Sequence, residues 1–127
     1  MDAPGAAADR GRRAERFGRL AEVLCCKVLE RDGFEILARR RRTAAGEIDL
    51  VARRGDLTVI VEVKARTRAS EAAGALSARQ CARLAGAAEA LMAEEPGWFG
   101  AGLRFDLMVV GRDGTIRRVA DAFRPGP

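Results

Sequence analysis

A chain of 127 residues, 48% apolar and 32% charged, is long enough for one domain with a real core and too short for two comfortable ones. Lysine and arginine outnumber aspartate and glutamate 23 to 18, and the resulting net charge of +5 favours a polyanionic partner such as nucleic acid. Histidine and tyrosine are both absent, which excludes Ser-His-Asp and Cys-His catalysis, histidine-liganded nuclease metals and tyrosine nucleophiles.

The three cysteines, Cys25, Cys26 and Cys81, are odd in number and lack a CxxC spacing, so neither a disulfide framework nor a zinc site is indicated. No run approaches the ~20 apolar residues of a membrane span, and the N-terminal residues lack a signal-peptide core. The expected setting is therefore reduced and cytoplasmic, with no membrane partner.

Residues 1–13, rich in Ala, Gly and Arg, are expected as a flexible basic tail. A single domain follows over 14–123, with 124–127 as a C-terminal tail. From Ala14 to Asp32 the pattern is helical. Phe17, Leu20, Ala21, Leu24, Cys25 and Val28 form its apolar stripe, and Gly33 stands at the stop position. Glu22 sits at the edge of that stripe, with Gly18 leaving space one turn earlier. An acid placed there can reach a neighbouring sheet, or can simply be a surface glutamate. Phe34 to Ala38 predicts a short strand. The four arginines that follow, Arg39 to Arg42, either contact phosphates or form a solvated charge run.

Gly46 to Lys64 reads as two strands meeting at a tight turn, because apolar β-branched runs flank Gly55-Asp56. Arg66 to Gly74 is expected as a loop. A second helix runs from Ser77, an N-cap candidate, to Glu94 or Glu95, where Pro96-Gly97 ends it. Its apolar stripe is Leu84, Ala87, Ala88 and Leu91, and Trp98 and Phe99 follow as a hydrophobic plug. Leu103 to Gly111 alternates as a strand on which Arg104 and Asp106 share a face and pair with each other. Arg112-Asp113-Gly114 is a turn and Thr115 to Val119 a last strand. The order predicts an α/β fold, a mixed central sheet flanked by helices.

The hairpin carries the chemistry. Its register sets Asp49 opposite Glu62 and Glu47 opposite Lys64, and directly opposed like charges destabilise a sheet unless a cation joins them. Alternation puts Ile60, Glu62 and Lys64 on one face and Val59, Val61 and Val63 on the other. Lys64 is one of only two lysines beside 21 arginines. Lysine differs from arginine in that its proton affinity can be tuned for proton transfer. A carboxylate pair with a lysine alongside is what metal-assisted phosphodiester hydrolysis needs. Around it, Arg41, Arg42, Arg66, Arg68, Arg79 and Gln80 are candidate nucleic-acid contacts. Glu47 is open to two readings, tuning Lys64 or forming a strand-edge ion pair.

Asp49, a twelve-residue spacer and Glu62-Val63-Lys64 match the PD-(D/E)xK nuclease arrangement. Gly18-x-x-x-Glu22, Leu29, Gly33, Gly46-Glu47-Ile48-Asp49-Leu50, Val61-Glu62-Val63-Lys64-x-Arg66, Arg104-Phe105-Asp106 and Ala122-Phe123 widen the match. In that wording the chain resembles the YraN family of small bacterial proteins, in order from about residue 14 to 123. The resemblance implies a restriction-endonuclease-like core similar to archaeal Holliday-junction resolvases. It further implies a Mg²⁺ or Mn²⁺ ion held by Asp49, Glu62, the Val63 carbonyl and Glu22, with Lys64 flanking the attacking water. The chain departs from the family pattern at Arg40, where such proteins often carry Asn, and near Arg79, where Lys is common.

The expected function is a metal-dependent endonuclease acting on DNA, branched or damaged DNA included. The alternative is a non-catalytic nucleic-acid-binding or protein-interaction module on the same fold. Symmetric cutting of two strands would require a homodimer.

Overall fold

The computed structural model describes residues 5–126. Helix α1 spans Ala6–Arg31, strands β1, β2 and β3 span Glu35–Thr43, Gly46–Arg54 and Leu57–Ala65, helix α2 spans Ala78–Glu94, and strands β4 and β5 span Gly102–Val110 and Ile116–Phe123. One five-stranded sheet runs in the order β1-β2-β3-β4-β5. Every neighbouring pair is antiparallel except β3–β4, which is parallel and is bridged by α2. A parallel pair needs such a crossover, whereas antiparallel neighbours need only short turns.

The two faces of the sheet are covered separately. On one, Ala21, Cys25 and Leu29 of α1 pack on Leu50, Ala52, Val59, Val61, Met108 and Val110. On the other, Leu84, Ala87, Ala88 and Leu91 of α2 pack on Ile48, Val51, Ile60 and Phe105, with Trp98 and Phe99 alongside. The face assignment of β3 follows the alternation of its residues, with Val59 and Val61 under α1 and Ile60 under α2. Each fully buried Leu, Ile or Val contributes roughly 1.5–3 kcal/mol of transfer free energy.

Local chemistry sets the ends of the helices. Gly33 at φ 88° closes α1: its N–H donates to the Glu30 carbonyl and the Phe34 N–H to that of Leu29, a Schellman pattern. At the start of α2 the Ser77 hydroxyl accepts from the Gln80 N–H while the Gln80 side chain accepts from the Ser77 N–H, a capping box. Gly55 at φ 59° opens the β2–β3 turn, as a glycine at the first position of a tight hairpin does.

Three elements differ from their sequence reading. Helix α1 begins at Ala6, so most of the expected basic tail is helix; residues 1–4 and 127 lie outside the described residues. Leu20, counted in its stripe, is 54% exposed. The four arginines are the second half of β1, paired along β2 to Thr43↔Gly46. These arginines lie on the edge strand of the sheet, a setting that charged side chains suit.

A buried ionic knot ties β4 to β5. The buried Asp106 carboxylate accepts two bonds from Arg104 at 2.8 and 2.9 Å, one from the Asp121 N–H at 3.0 Å, and others from Arg118 at 3.2 and 3.3 Å. Asp121 takes φ 55° beside the register shift in this ladder. The expected Arg104–Asp106 pair is thus present and extended by Arg118. Removing the acid alone strands two guanidinium groups, so Asp106→Ala is expected to lower stability by roughly 3 kcal/mol or more in urea unfolding.

Candidate functional site

Strands β2 and β3 pair as far as Leu50↔Val61, and the ladder stops one step before Asp49 and Glu62. The Asp49 carboxylate takes over there, with Oδ2 accepting the Val63 N–H at 2.8 Å. A side chain therefore satisfies a donor that a strand carbonyl would otherwise meet. The sequence register correctly brings Asp49 beside Glu62. It does not bring Glu47 to Lys64, because Glu47 pairs along β1 with Arg42 and lies 3.9 Å from its guanidinium. The strand-edge ion pair is the reading that survives for Glu47.

Glu62 shares the face of Ile60, under α2, and is only 7% exposed. Arg83 of α2 reaches its Oε2 at 3.4 Å, a charge contact at the long end of hydrogen bonding. Burial pushes the Glu62 carboxyl up to about 7; the Asp49 charge and a hydrogen bond with Asp49 push the same way, against Lys64 and Arg83. The Asp49 side chain thus lies beside the Glu62 carboxyl. Lys64 is half-buried and makes no ion pair among the described residues. It acts on Glu62 through its field.

Glu22 is not part of this pair. Its Oε2 accepts from Arg40 Nε at 2.8 Å, and the two residues line a 400 Å³ depression with Arg19, Val23 and Arg39. Among the described residues no group of three Asp, Glu, Cys or His side chains is gathered to hold a metal ion. The structure therefore brings together Asp49, Glu62 and Lys64, and leaves Glu22 apart. Val63 is held beside the pair through its N–H. Two adjacent hard-oxygen carboxylates still suit Mg²⁺ or Mn²⁺, since Mg²⁺ commonly takes one or two protein carboxylates and completes its shell with water and phosphate.

The predicted nucleic-acid contacts divide. Arg42, Arg68 and Arg79 are exposed, and Arg66 is half-buried with its guanidinium on the Ala65 carbonyl at 2.9 Å. Arg41 turns instead to the C-terminal end of α2, near Glu94, Glu95 and the Trp98 ring. The Gln80 side chain serves the α2 cap. Four further basic residues, Arg83, Arg10, Arg13 and Arg112, lie outside the sequence-derived set. Arg83 could have been found one turn beyond Arg79 on α2. Arg10 and Arg13 of α1 meet Arg112 of the β4–β5 turn around a 660 Å³ hollow. That contact spans most of the chain, so no local pattern announces it. Cys25 and Cys26 are poor nucleophiles: burial pushes Cys25 up to about 12 and Cys26 upward.

The mixed sheet, the parallel β3–β4 pair bridged by α2 and the second helix on the opposite face define an α/β protein with a restriction-endonuclease-like core. Within that class the chain belongs to uncharacterised protein family UPF0102, the YraN family, whose model matches residues 21–110. It is 50% identical over 115 residues to a UPF0102 protein of Granulibacter bethesdensis, covering 91% of this chain and 73% of that one. A UPF0102 protein of Azorhizobium caulinodans is 46% identical over 114 residues, covering 90% and 87%. One from Ruegeria pomeroyi is 42% identical over 121 residues, covering 95% and 98%. No helix among the described residues is long and apolar enough to cross a membrane.

The raised Glu62 carboxyl has a sign that can be measured. Its proton is held more tightly in the folded chain than at the ordinary value of 4.5. The stabilisation is full below that value and is lost as pH rises through about 7. In metal-free buffer the stability of wild type relative to Glu62→Gln is expected to fall over this window, by on the order of 3 kcal/mol. Urea unfolding of both proteins across the range checks it.

Proposed function

We propose that this protein is a metal-dependent nuclease that hydrolyses phosphodiester bonds in DNA, branched or damaged DNA included. The observation that carries the reading is the half-buried Asp49 beside the buried Glu62, with Lys64, which makes no ion pair among the described residues, on the same strand as Glu62. A Mg²⁺ or Mn²⁺ ion bound there supplies the Lewis-acid charge that offsets negative charge developing on a phosphoryl group. Asp49 and Glu62 hold that ion, and the Asp49–Val63 contact fixes the first of them against the strand. Lys64 orients the attacking water and offsets charge on the phosphoryl oxygens, the role that a preorganised cation fills.

The basic surfaces support a polyanionic substrate. Arg66 and Arg68 follow directly on Lys64, and the Arg112 N–H donates to the Thr67 carbonyl at 3.2 Å. This joins the Lys64 end of β3 to the hollow of Arg10, Arg13 and Arg112. Arg79 and Arg83 flank the opposite side from α2. Phosphates lying along such arginines gain affinity that falls with salt.

One observation favours a second reading, a non-catalytic nucleic-acid-binding module: Glu22 is engaged by Arg40 rather than by the carboxylate pair. A Mn²⁺ cleavage assay separates the two. Labelled duplex, flap and four-way-junction DNA are expected to be cut by wild type, with losses of roughly 10²–10³-fold in Lys64→Ala and at least as large in Glu62→Gln. Binding of the same DNAs without cutting by any preparation would establish the module instead, and equal cutting by all three proteins would point to a contaminant.

A further inference from the structure

Resting on the metal-site reading above, we infer that Arg40 is a positioning residue that governs metal binding by withholding Glu22 from the Asp49–Glu62 pair. Arg40 stands in the interior of β1 at φ 50°, a conformation that costs an arginine strain. The strand turns at this point. Ala38 before it and Arg41 after it both belong to the α2 side, although three residues separate them and strict alternation would put them on opposite faces. The Arg40 side chain is sent instead toward α1, where Nε meets Glu22 at 2.8 Å.

Arg40 is also surrounded by the other acids of the site. The register on either side, Arg39↔Leu50 and Arg41↔Ile48, sets it across from Asp49. Glu22, Glu47 and Asp49 all favour its charged form. Glu22 and Asp49 together act on the Cys25 thiol, so the two acids lie around the same buried group on the α1 side. Glu22 thus faces the same buried thiol as Asp49, and a guanidinium holds its carboxylate away from the pair. A divalent ion that recruited Glu22 would have to displace Arg40, whereas one satisfied by Asp49 and Glu62 alone would not. Occupancy of the third acidic ligand becomes a contest between an internal and an external cation.

The test is Mn²⁺ binding without nucleic acid, followed by electron paramagnetic resonance in a buffer basic enough to ionise Glu62. It compares wild type with Arg40→Asn, Glu22→Gln, the Arg40→Asn/Glu22→Gln double variant and Glu62→Gln. Asparagine is the replacement because it tolerates φ 50° better than most residues other than glycine and cannot pair with Glu22 as a cation. Arg40→Asn is expected to bind Mn²⁺ about tenfold more tightly than wild type, and the gain is expected to vanish in the Glu22→Gln background. Thermal melts verify that each variant is folded. An equal gain in both backgrounds would show a general charge effect and overturn the inference. So would unchanged affinity in Arg40→Asn, provided that wild type binds and Glu62→Gln does not, an outcome that leaves the metal site itself standing. Absence of Mn²⁺ binding in wild type and Arg40→Asn alike would remove the metal site and the inference with it.

Discussion

Strand β2 parts from β3 at Asp49, and the carboxylate closes the gap by taking the Val63 N–H at 2.8 Å. The rest of the site depends on this substitution of a side chain for a backbone acceptor. It anchors one acid in the plane of the sheet, next to a second acid that the pleat directs under α2. Burial of Glu62 raises its proton affinity, and the charge of the half-buried Asp49 beside it adds to the effect. A cation relieves the repulsion between the two acids. The break in the ladder and the raised proton affinity of Glu62 are two consequences of one geometry.

The distribution of internal cations around these acids follows from where each strand and helix ends. Arg83 comes from α2 and meets Glu62; Arg40 comes from β1 and meets Glu22; Arg42 sits near Glu47 at the hairpin edge. Lys64 makes no ion pair among the described residues and acts on Glu62 through its charge. Other arginines are spent on architecture. Arg118 joins Asp106 to Asp32 and lies over the Phe34 ring, and Arg41 ties β1 to the end of α2. The net positive charge therefore overstates what the surface offers a polyanion.

Much of the fold was legible in the residues. The stripe of Leu84, Ala87, Ala88 and Leu91, the Ser77 cap, the Gly55-Asp56 turn and the alternation of Val59 to Val63 each operate over a few residues, and each reappears in the structure. Where the reading fell short, a tertiary contact had overridden a local signal. Arg39 to Arg42 read as a charge run beyond a strand ending at Ala38, because nothing in their charge suggests a strand, yet pairing with β2 supplies the ladder that makes them one. The first turns of α1 lack an apolar stripe and were read as tail, although arginine and alanine are both good helix formers.

The site divides along the same line. By itself the sequence determined that Asp49, Glu62 and Lys64 would come together, because a tight turn fixes the register of a hairpin and the pleat fixes its faces. It could not determine where Glu22 would be engaged. That acid and Arg40 are 18 residues apart on different elements, and their meeting depends on how α1 lies across β1 and on the turn in the strand at Arg40. Only the tertiary structure decided that contact, since it arises from the packing of a helix on a sheet and has no period or spacing to reveal it.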